Sequence, residues 1–129
     1  MSPTDAPHEL LTLAQRDHRA ALTLARADPP QMDAAGFHLQ QMVEKSLKAW
    51  LVIKGIDYPR THDLSPLLGF LEDQGEEVGP FWNLLELNPF AVQFRYELAG
   101  EVFPDFEPLA RLAEQLLAHV QSLLAKGSS

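Results

Sequence analysis

The chain has 129 residues, no cysteine and a formal net charge of −8 at pH 7. This length suits one domain with a buried core, and the lack of cysteine excludes disulfides and thiolate metal sites. No apolar run approaches the ~20 residues that span a bilayer, and Met1 to Asp5 hold neither a basic region nor an apolar segment. We therefore expect one cytoplasmic domain with no signal peptide and no membrane association.

The charge is unevenly distributed along the chain. Residues 1–64 hold 7 Lys and Arg against 8 Asp and Glu, whereas residues 65–129 hold 3 against 10. Proteins that bind nucleic acid usually carry a basic surface, because contacts to phosphates supply most of their non-specific affinity. The balance disfavours nucleic acid as a partner, and any RNA contact would need a local patch in the first half.

Prolines divide the chain into segments with helical periodicity. The first segment, His8 to Asp28, carries apolar residues at three- and four-residue spacings, so it is predicted to be a helix. Thr4 or Asp5 can cap its start, and Pro29-Pro30 stops it. No strand pattern or internal repeat appears.

A second helix is predicted to begin after Asp33 and to end at Gly55, which can adopt the left-handed conformation of a helix C-terminus. Ile56 can then fold back onto the last turn. The helix has an unusually wide apolar face, so several neighbours must cover it and it should be central in a bundle. That face comprises Ala35, Leu39, Met42, Val43, Leu47, Ala49, Trp50, Leu51 and Ile53.

The second half predicts shorter elements followed by one long helix. A third helix should start near Asp63 as its cap and end at Gly75, and a short apolar element should open at Gly79-Pro80 and break at Asn88-Pro89. Periodicity does not decide whether residues 90–98 are helical or extended. Pro104 to Pro108 should start the final helix. The predicted fold is all-α, an up-and-down four-helix bundle with an additional short helix.

The polar stripe of the second helix is the first candidate for a site. Two readings remain open: a ligand-facing surface for a nucleotide phosphate, or an ordinary solvated helix face with a Glu44–Lys48 pair at i,i+4. The stripe consists of His38, Gln41, Glu44, Lys45 and Lys48.

Two further candidates lie after this helix. His62, between Thr61 and Asp63, could act as an acid or base, but a structural role is favoured, with Asp63 capping a helix and His62 bonding a neighbouring helix or its backbone. Arg95, followed by Tyr96, could fix a helix through a carboxylate or carbonyl, or could line an anion-binding groove.

Three pieces of the chain together resemble the HEPN domain family of small all-helical proteins. Residues 37–49 read FHLQQMVEKSLKA, Gly55 follows, and residues 61–64 read THDL. Phe94-Arg95-Tyr96 is similar to the family's third recurring feature. The resemblance covers most of residues 10–125 and implies a single HEPN-like helical domain over residues 1–129, with its core at about 8–125. It also implies a homodimer and, as a partner, a minimal nucleotidyltransferase.

The nuclease members of this family carry an arginine and a histidine separated by four to six residues. No arginine here has a histidine at that offset, since Arg111 and His119 have seven residues between them. The scattered histidines form no metal motif, and the chain has no phosphate-binding glycine loop and no nucleophile elbow. We therefore expect no catalytic residues, no metal, no cofactor and no enzymatic activity.

Aromatic residues in the second half are numerous for a small bundle. Phe81, Trp82, Phe90 and Phe94, with Phe37 on the polar sector of the second helix, either complete the core or form an interface, and we expect an interface.

The resulting hypothesis is a HEPN-like, non-nucleolytic interaction module that dimerises and pairs with a nucleotidyltransferase in a toxin–antitoxin-like system. The alternative is a nucleotide- or RNA-binding module in which Lys45, Lys48 and Arg95 hold phosphates. A degenerate ribonuclease toxin is a weaker third hypothesis.

Overall fold

The computed structural model describes residues 5–91 and 105–127, and every regular element in those ranges is helical. The all-α prediction is thereby confirmed, whereas the up-and-down order of four bundled helices stays a prediction. The elements are α1 (Asp5–Ala25), α2 (Met32–Ile53), α3 (Leu64–Asp73), a 3₁₀ helix (Gly79–Ala91) and α4 (Phe106–Gly127). None of these helices combines the length and apolar character needed to cross a bilayer.

Helix α2 is the centre of the described fold, as its wide apolar face predicted. It packs against α1, α3, α4 and the 3₁₀ helix. Leu39, Met42 and Leu47 have no exposed surface, and Trp50 has only 1%. Because apolar burial is the main favourable term in folding, α2 is the element that joins the rest of the chain into one core.

Helix α1 lies alongside α2 and runs in the opposite direction. The two are joined by only six residues, 26–31, and the middle of α1 contacts the middle of α2 through Asp17, whose carboxylate binds His38 and Lys45. Helix α4 reaches the same part of α1, where His18 Nε2 donates to Glu114 Oε2 (2.7 Å). α1 is therefore held to two helices by charged groups as well as by apolar packing.

Local signals set most helix ends. Gly55 has φ of 74°, and the Ile56 N–H donates to the Leu51 carbonyl (2.9 Å), so the predicted fold-back is confirmed. Asp63 Oδ1 accepts from the Ser65 N–H (2.9 Å) and caps α3 as predicted. The predicted Asp33 cap is wrong, because α2 begins at Met32 and Gln31 occupies the N-cap position. Asp33 instead lies in the first turn, where the helix dipole favours a carboxylate.

The predicted break at Asn88-Pro89 is also wrong. The 3₁₀ helix continues through Pro89 to Ala91, an unusual length for this type of helix. Asn88 uses its side chain to link this helix to the start of α3: its Oδ1 accepts from the Leu64 N–H (2.9 Å) and its Nδ2 donates to Asp63 Oδ1 (2.8 Å). These tertiary hydrogen bonds hold Asn88 inside the element that its sequence position predicted it would end.

The predicted aromatic interface is wrong for Phe81 and Phe90. Phe81 is 8% and Phe90 2% exposed, so both complete the core of this chain. Trp82 is half-buried and donates from Nε1 to Glu72 Oε2 (3.0 Å), and the half-buried Phe37 ring makes an edge contact with His38. Phe94 lies outside the described residues. The 3₁₀ helix turns Phe81 and Phe90 inward, against α2.

Gly36 provides a test of this packing. The Phe90 ring lies against α2 at Gly36, where an added Cβ would be only 2.5 Å from Phe90 Cδ1. We expect Gly36→Ala to lower the free energy of unfolding by about 1–2 kcal/mol. The overlap costs ~1–3 kcal/mol, and the better helix propensity of alanine offsets only part of it. Urea denaturation measures the change.

Gly69 is the matched control for this substitution. It lies within α3, and a Cβ added there would meet no atom within 4 Å. Gly69→Ala should therefore raise the free energy of unfolding, by up to about 1 kcal/mol, through helix propensity alone. Equal stabilisation by both substitutions would show that Phe90 does not pack on Gly36.

Candidate functional site

The polar stripe of α2 is covered by other parts of the chain and divides between two buried carboxylates. The first is Asp17 of α1, which is 8% exposed. His38 Nδ1 donates to its Oδ1 (2.9 Å), and the Lys45 ammonium binds its Oδ2. Because an ionised carboxylate only accepts hydrogen bonds, the ring nitrogen of His38 must carry the proton. We call Asp17, His38 and Lys45 the Asp17 cluster.

The second carboxylate is Glu44, on α2 itself, which is 4% exposed. Its Oε2 accepts from Lys48 Nζ (2.9 Å), and its Oε1 accepts from His62 Nδ1 (2.9 Å) and Gln40 Nε2 (3.3 Å). Gln40 also donates to the His62 carbonyl (2.9 Å), so this cluster fixes the 61–63 connection onto α2. We call Gln40, Glu44, Lys48 and His62 the Glu44 cluster.

These hydrogen bonds decide the charge of Glu44. Burial by itself raises the pKa of this carboxyl group, because it disfavours the charged form. Hydrogen bonds from Lys48, His62 and Gln40 and the charge of Lys48 more than offset burial, so the pKa is lowered from its ordinary value. Glu44 is therefore a carboxylate at neutral pH.

Two polar contacts complete the clusters. Gln41 is half-buried and donates from Nε2 to Gln40 Oε1 (2.7 Å). The Lys48 ammonium lies 5.3 Å from the centre of the Tyr58 ring, close enough for a cation–π interaction. Among the described residues, every buried side-chain nitrogen and oxygen has a hydrogen-bond partner. The clusters are thus closed polar networks, which is the condition under which buried polar groups stabilise a fold.

The geometry changes both readings of the polar stripe. The predicted Glu44–Lys48 pair is confirmed, but the interpretation as a solvated helix face is wrong, because the side chains of Lys45 and Lys48 are only 23% and 14% exposed. Each ammonium is already neutralised by a carboxylate. A phosphate would have to displace Asp17 or Glu44 to bind either lysine directly.

His62 has the structural contacts that the sequence favoured. It bonds Glu44 of α2 while its neighbour Asp63 caps α3. The His62 side chain is nevertheless 72% exposed, so most of the ring is open to solvent while Glu44 binds Nδ1. His62 is therefore both a tether and the most accessible member of the two clusters.

Arg95 and Tyr96, the remaining predicted site residues, lie outside the described residues, as does the whole of 92–104. Their two readings stay as the sequence left them. Of the predicted candidates that are described, the structure brings His38 and Lys45 to Asp17, and Lys48 and His62 to Glu44.

Sequence reasoning missed two members of the clusters. Asp17 lies three residues after buried Ala14 and four before buried Ala21, so a carboxylate at that spacing signals a buried partner of opposite charge. Gln40 has no exposed surface and carries no comparable signal, since glutamine is ordinary on a helix face. Its importance comes from the His62 carbonyl, which only the folded chain brings to it.

The described residues hold no group of three His, Asp or Glu side chains that could bind a metal ion. Arg111 and His119 both lie on α4, and their eight-residue separation puts their backbones about 12 Å apart along the axis. The His119 ring packs against Trp50, with 4.7 Å between ring centroids. These two residues are not brought together as a pair.

Two clefts lie away from the clusters. One, of about 340 Å³, is lined by residues of the 3₁₀ helix and the first turns of α4, including Glu86 and Arg111. The other, of about 290 Å³, separates the first turns of α1 from the last turns of α4. Within residues 5–91 and 105–127, neither of these two clefts is lined by a predicted site residue.

The fold and the two clusters define an all-helical domain whose central helix is locked to its neighbours through buried carboxylates. A family model for the HEPN domain matches residues 8–126, so the chain belongs to the HEPN domain family. Comparison with curated proteins and with solved structures gives no match.

Proposed function

We propose that this protein is a helical interaction module that self-associates, and that its partner is a minimal nucleotidyltransferase encoded nearby in a toxin–antitoxin-like system in the cytoplasm. The observation that carries the interaction module is the neutralisation of the α2 lysines: Lys45 binds Asp17 and Lys48 binds Glu44. The identity of the partner rests on the family resemblance.

The charge balance of the two clusters supports binding to protein rather than to phosphate. Asp17 and Glu44 supply two negative charges, and Lys45 and Lys48 supply two positive charges. The two clusters together therefore have no excess positive charge while His38 and His62 are neutral. Phosphate recognition needs such an excess, because contacts to phosphates gain most of their free energy from charge neutralisation.

Light scattering of the purified protein, together with co-purification of the neighbouring nucleotidyltransferase, tests the proposal. We expect a stable dimer at micromolar concentration and a complex that survives size-exclusion chromatography. A monomeric protein that also fails to bind its neighbour would contradict the proposal.

Nucleotide binding is the second candidate, and the exposure of His62 favours it. His62 and Lys48 bind the same carboxylate and the His62 side chain is largely exposed, so an anionic ligand could reach one edge of the Glu44 cluster. A thermal-shift panel of nucleotides at low and high salt tests this, because phosphate contacts weaken steeply with salt. We expect no stabilisation by any nucleotide. A salt-sensitive shift that is lost in Lys45→Ala or Arg95→Ala would instead establish the nucleotide-binding function.

A further inference from the structure

The exposed face of α1 carries an apolar and basic patch. Leu13 is 40% exposed, one of the three exposed large hydrophobic side chains in the described residues. Arg16 and Arg19 follow at three-residue intervals, so they share this face of the helix. Both are exposed, and neither forms an ion pair in the described part of the chain. We call Leu13, Arg16 and Arg19 the basic patch.

The end of α3 carries a second patch, which also combines one exposed apolar side chain with two charged residues but has the opposite charge. Phe70 is 42% exposed, the largest exposure among those hydrophobic side chains. Asp73 lies three residues further on the same helix face, and Glu77 follows in the exposed connection. Neither carboxylate has a hydrogen-bond or ion-pair partner among residues 5–91 and 105–127. We call Phe70, Asp73 and Glu77 the acidic patch.

The fold keeps the two patches apart within one molecule. Helix α1 packs against α2 and α4, whereas α3 packs against α2 and the 3₁₀ helix. The apolar side chains and opposite charges of the two patches are therefore left to solvent, although they are complementary in both respects.

We infer that the basic patch of one molecule binds the acidic patch of a second copy of this chain. Leu13 and Phe70 form the apolar centre of each contact, and Arg16 and Arg19 meet Asp73 and Glu77 around it. An apolar centre with a charged rim is the usual anatomy of a protein interface. This inference rests on the proposed self-association and names its surface.

A protein occupant fits the basic patch better than a nucleic acid does. Leu13 gives the patch an exposed apolar side chain that a phosphate backbone would leave unburied. The net charge of −8 repels a polyanion as a whole, whereas the same excess of acid supplies the complementary patch.

Charge reversal with compensation tests the inference. Arg16→Glu/Arg19→Glu makes both patches acidic, and Asp73→Arg/Glu77→Arg makes both basic. Analytical ultracentrifugation of the full chain should show that each variant alone self-associates about tenfold or more weakly than the wild type, because like charges then face each other. An equimolar mixture should recover wild-type affinity, since every contact again joins opposite charges. Circular dichroism checks that both variants fold.

Arg60→Glu/Arg111→Glu is the matched control for Arg16→Glu/Arg19→Glu. It makes the same change in net charge at two exposed arginines outside the patches. It should self-associate within about twofold of the wild type, since distant surface charges are largely screened.

Wild-type self-association in both patch variants would overturn this surface and leave the proposed interaction module standing. A wild type that stays monomeric would overturn the surface, and the proposed function would then rest on capture of the nucleotidyltransferase. Loss of binding to a single-stranded RNA probe in Arg16→Glu/Arg19→Glu, with self-association unchanged, would also overturn it.

Discussion

Replacing Glu44 with glutamine is expected to lower the free energy of unfolding at pH 7 by about 3 kcal/mol, because it leaves Lys48 in a buried site without its carboxylate. The substitution keeps the size of the side chain, so the lost free energy of unfolding measures the effect of the charge and not of packing. It also weakens the tether to His62, whose Nδ1 proton loses an ionised acceptor. Urea denaturation of wild type and variant measures the difference.

The same substitution should change the pH dependence of stability. The pKa of Glu44 is lowered in the folded state, so the folded protein favours the carboxylate more than the unfolded chain does. Its contribution is therefore complete above the ordinary pKa of the group, about 4.5. It is lost as the pH falls through the lowered pKa of the folded state. The wild-type and Glu44→Gln curves should converge in acid, and a constant gap between pH 7 and about pH 3 would contradict this linkage.

Glu114→Gln is the matched control for this experiment. Glu114 also accepts a hydrogen bond from a histidine, His18, but its side chain is 42% exposed. Exposed pairs are screened by water and salt, so the substitution should cost less than about 1 kcal/mol. A loss as large as that of Glu44→Gln would show that histidine bonding, and not burial beside Lys48, sets the effect.

Asp17→Asn is expected to be the second most damaging polar substitution, with a loss of about 2 kcal/mol. Asp17 is the only carboxylate partner of Lys45 within the described residues, and it also binds His38. A double-mutant cycle with Lys45→Met isolates the pair. We expect a coupling energy of about 1–2 kcal/mol, because the two groups are in direct contact in a largely buried site.

The Asp17→Asn variant also separates the two candidate functions. It releases the Lys45 ammonium from its carboxylate, so a nucleotide-binding stripe would bind phosphate more tightly in the variant than in the wild type. The interaction module predicts no nucleotide binding in either protein. Asp57→Asn, at an exposed position in the connection after α2, is the control and should change stability by less than about 0.5 kcal/mol.

Local chemistry made several parts of the fold predictable. Gly55 ends α2 because only glycine adopts its φ of 74° without strain, and Asp63 caps α3 because its carboxylate reaches the Ser65 N–H two residues on. The central position of α2 followed from an apolar face too wide for one neighbour to cover. Each of these inferences needs only residues adjacent along the chain or along one helix.

Contacts between distant residues were beyond the same reasoning. Periodicity placed Lys45 and Glu44 on the polar sector of α2, but it could not show that α1 brings Asp17 over that sector or that His62 closes on Glu44. Asn88-Pro89 was predicted to end an element. The prediction failed because Asn88 is held by hydrogen bonds to Leu64 and Asp63, which lie far from it along the chain.

The sequence by itself determined the helical class, most helix ends, the central role of α2 and the HEPN resemblance that the family match confirms. These properties follow from backbone preferences and from the 3.6-residue period, which act over a few neighbouring residues. Only the tertiary structure decided that the polar stripe is neutralised by two buried carboxylates, Asp17 and Glu44, and that the aromatic residues Phe81 and Phe90 point into the core. Burial and ion pairing depend on which helix covers which face, and that is a property of the packed chain.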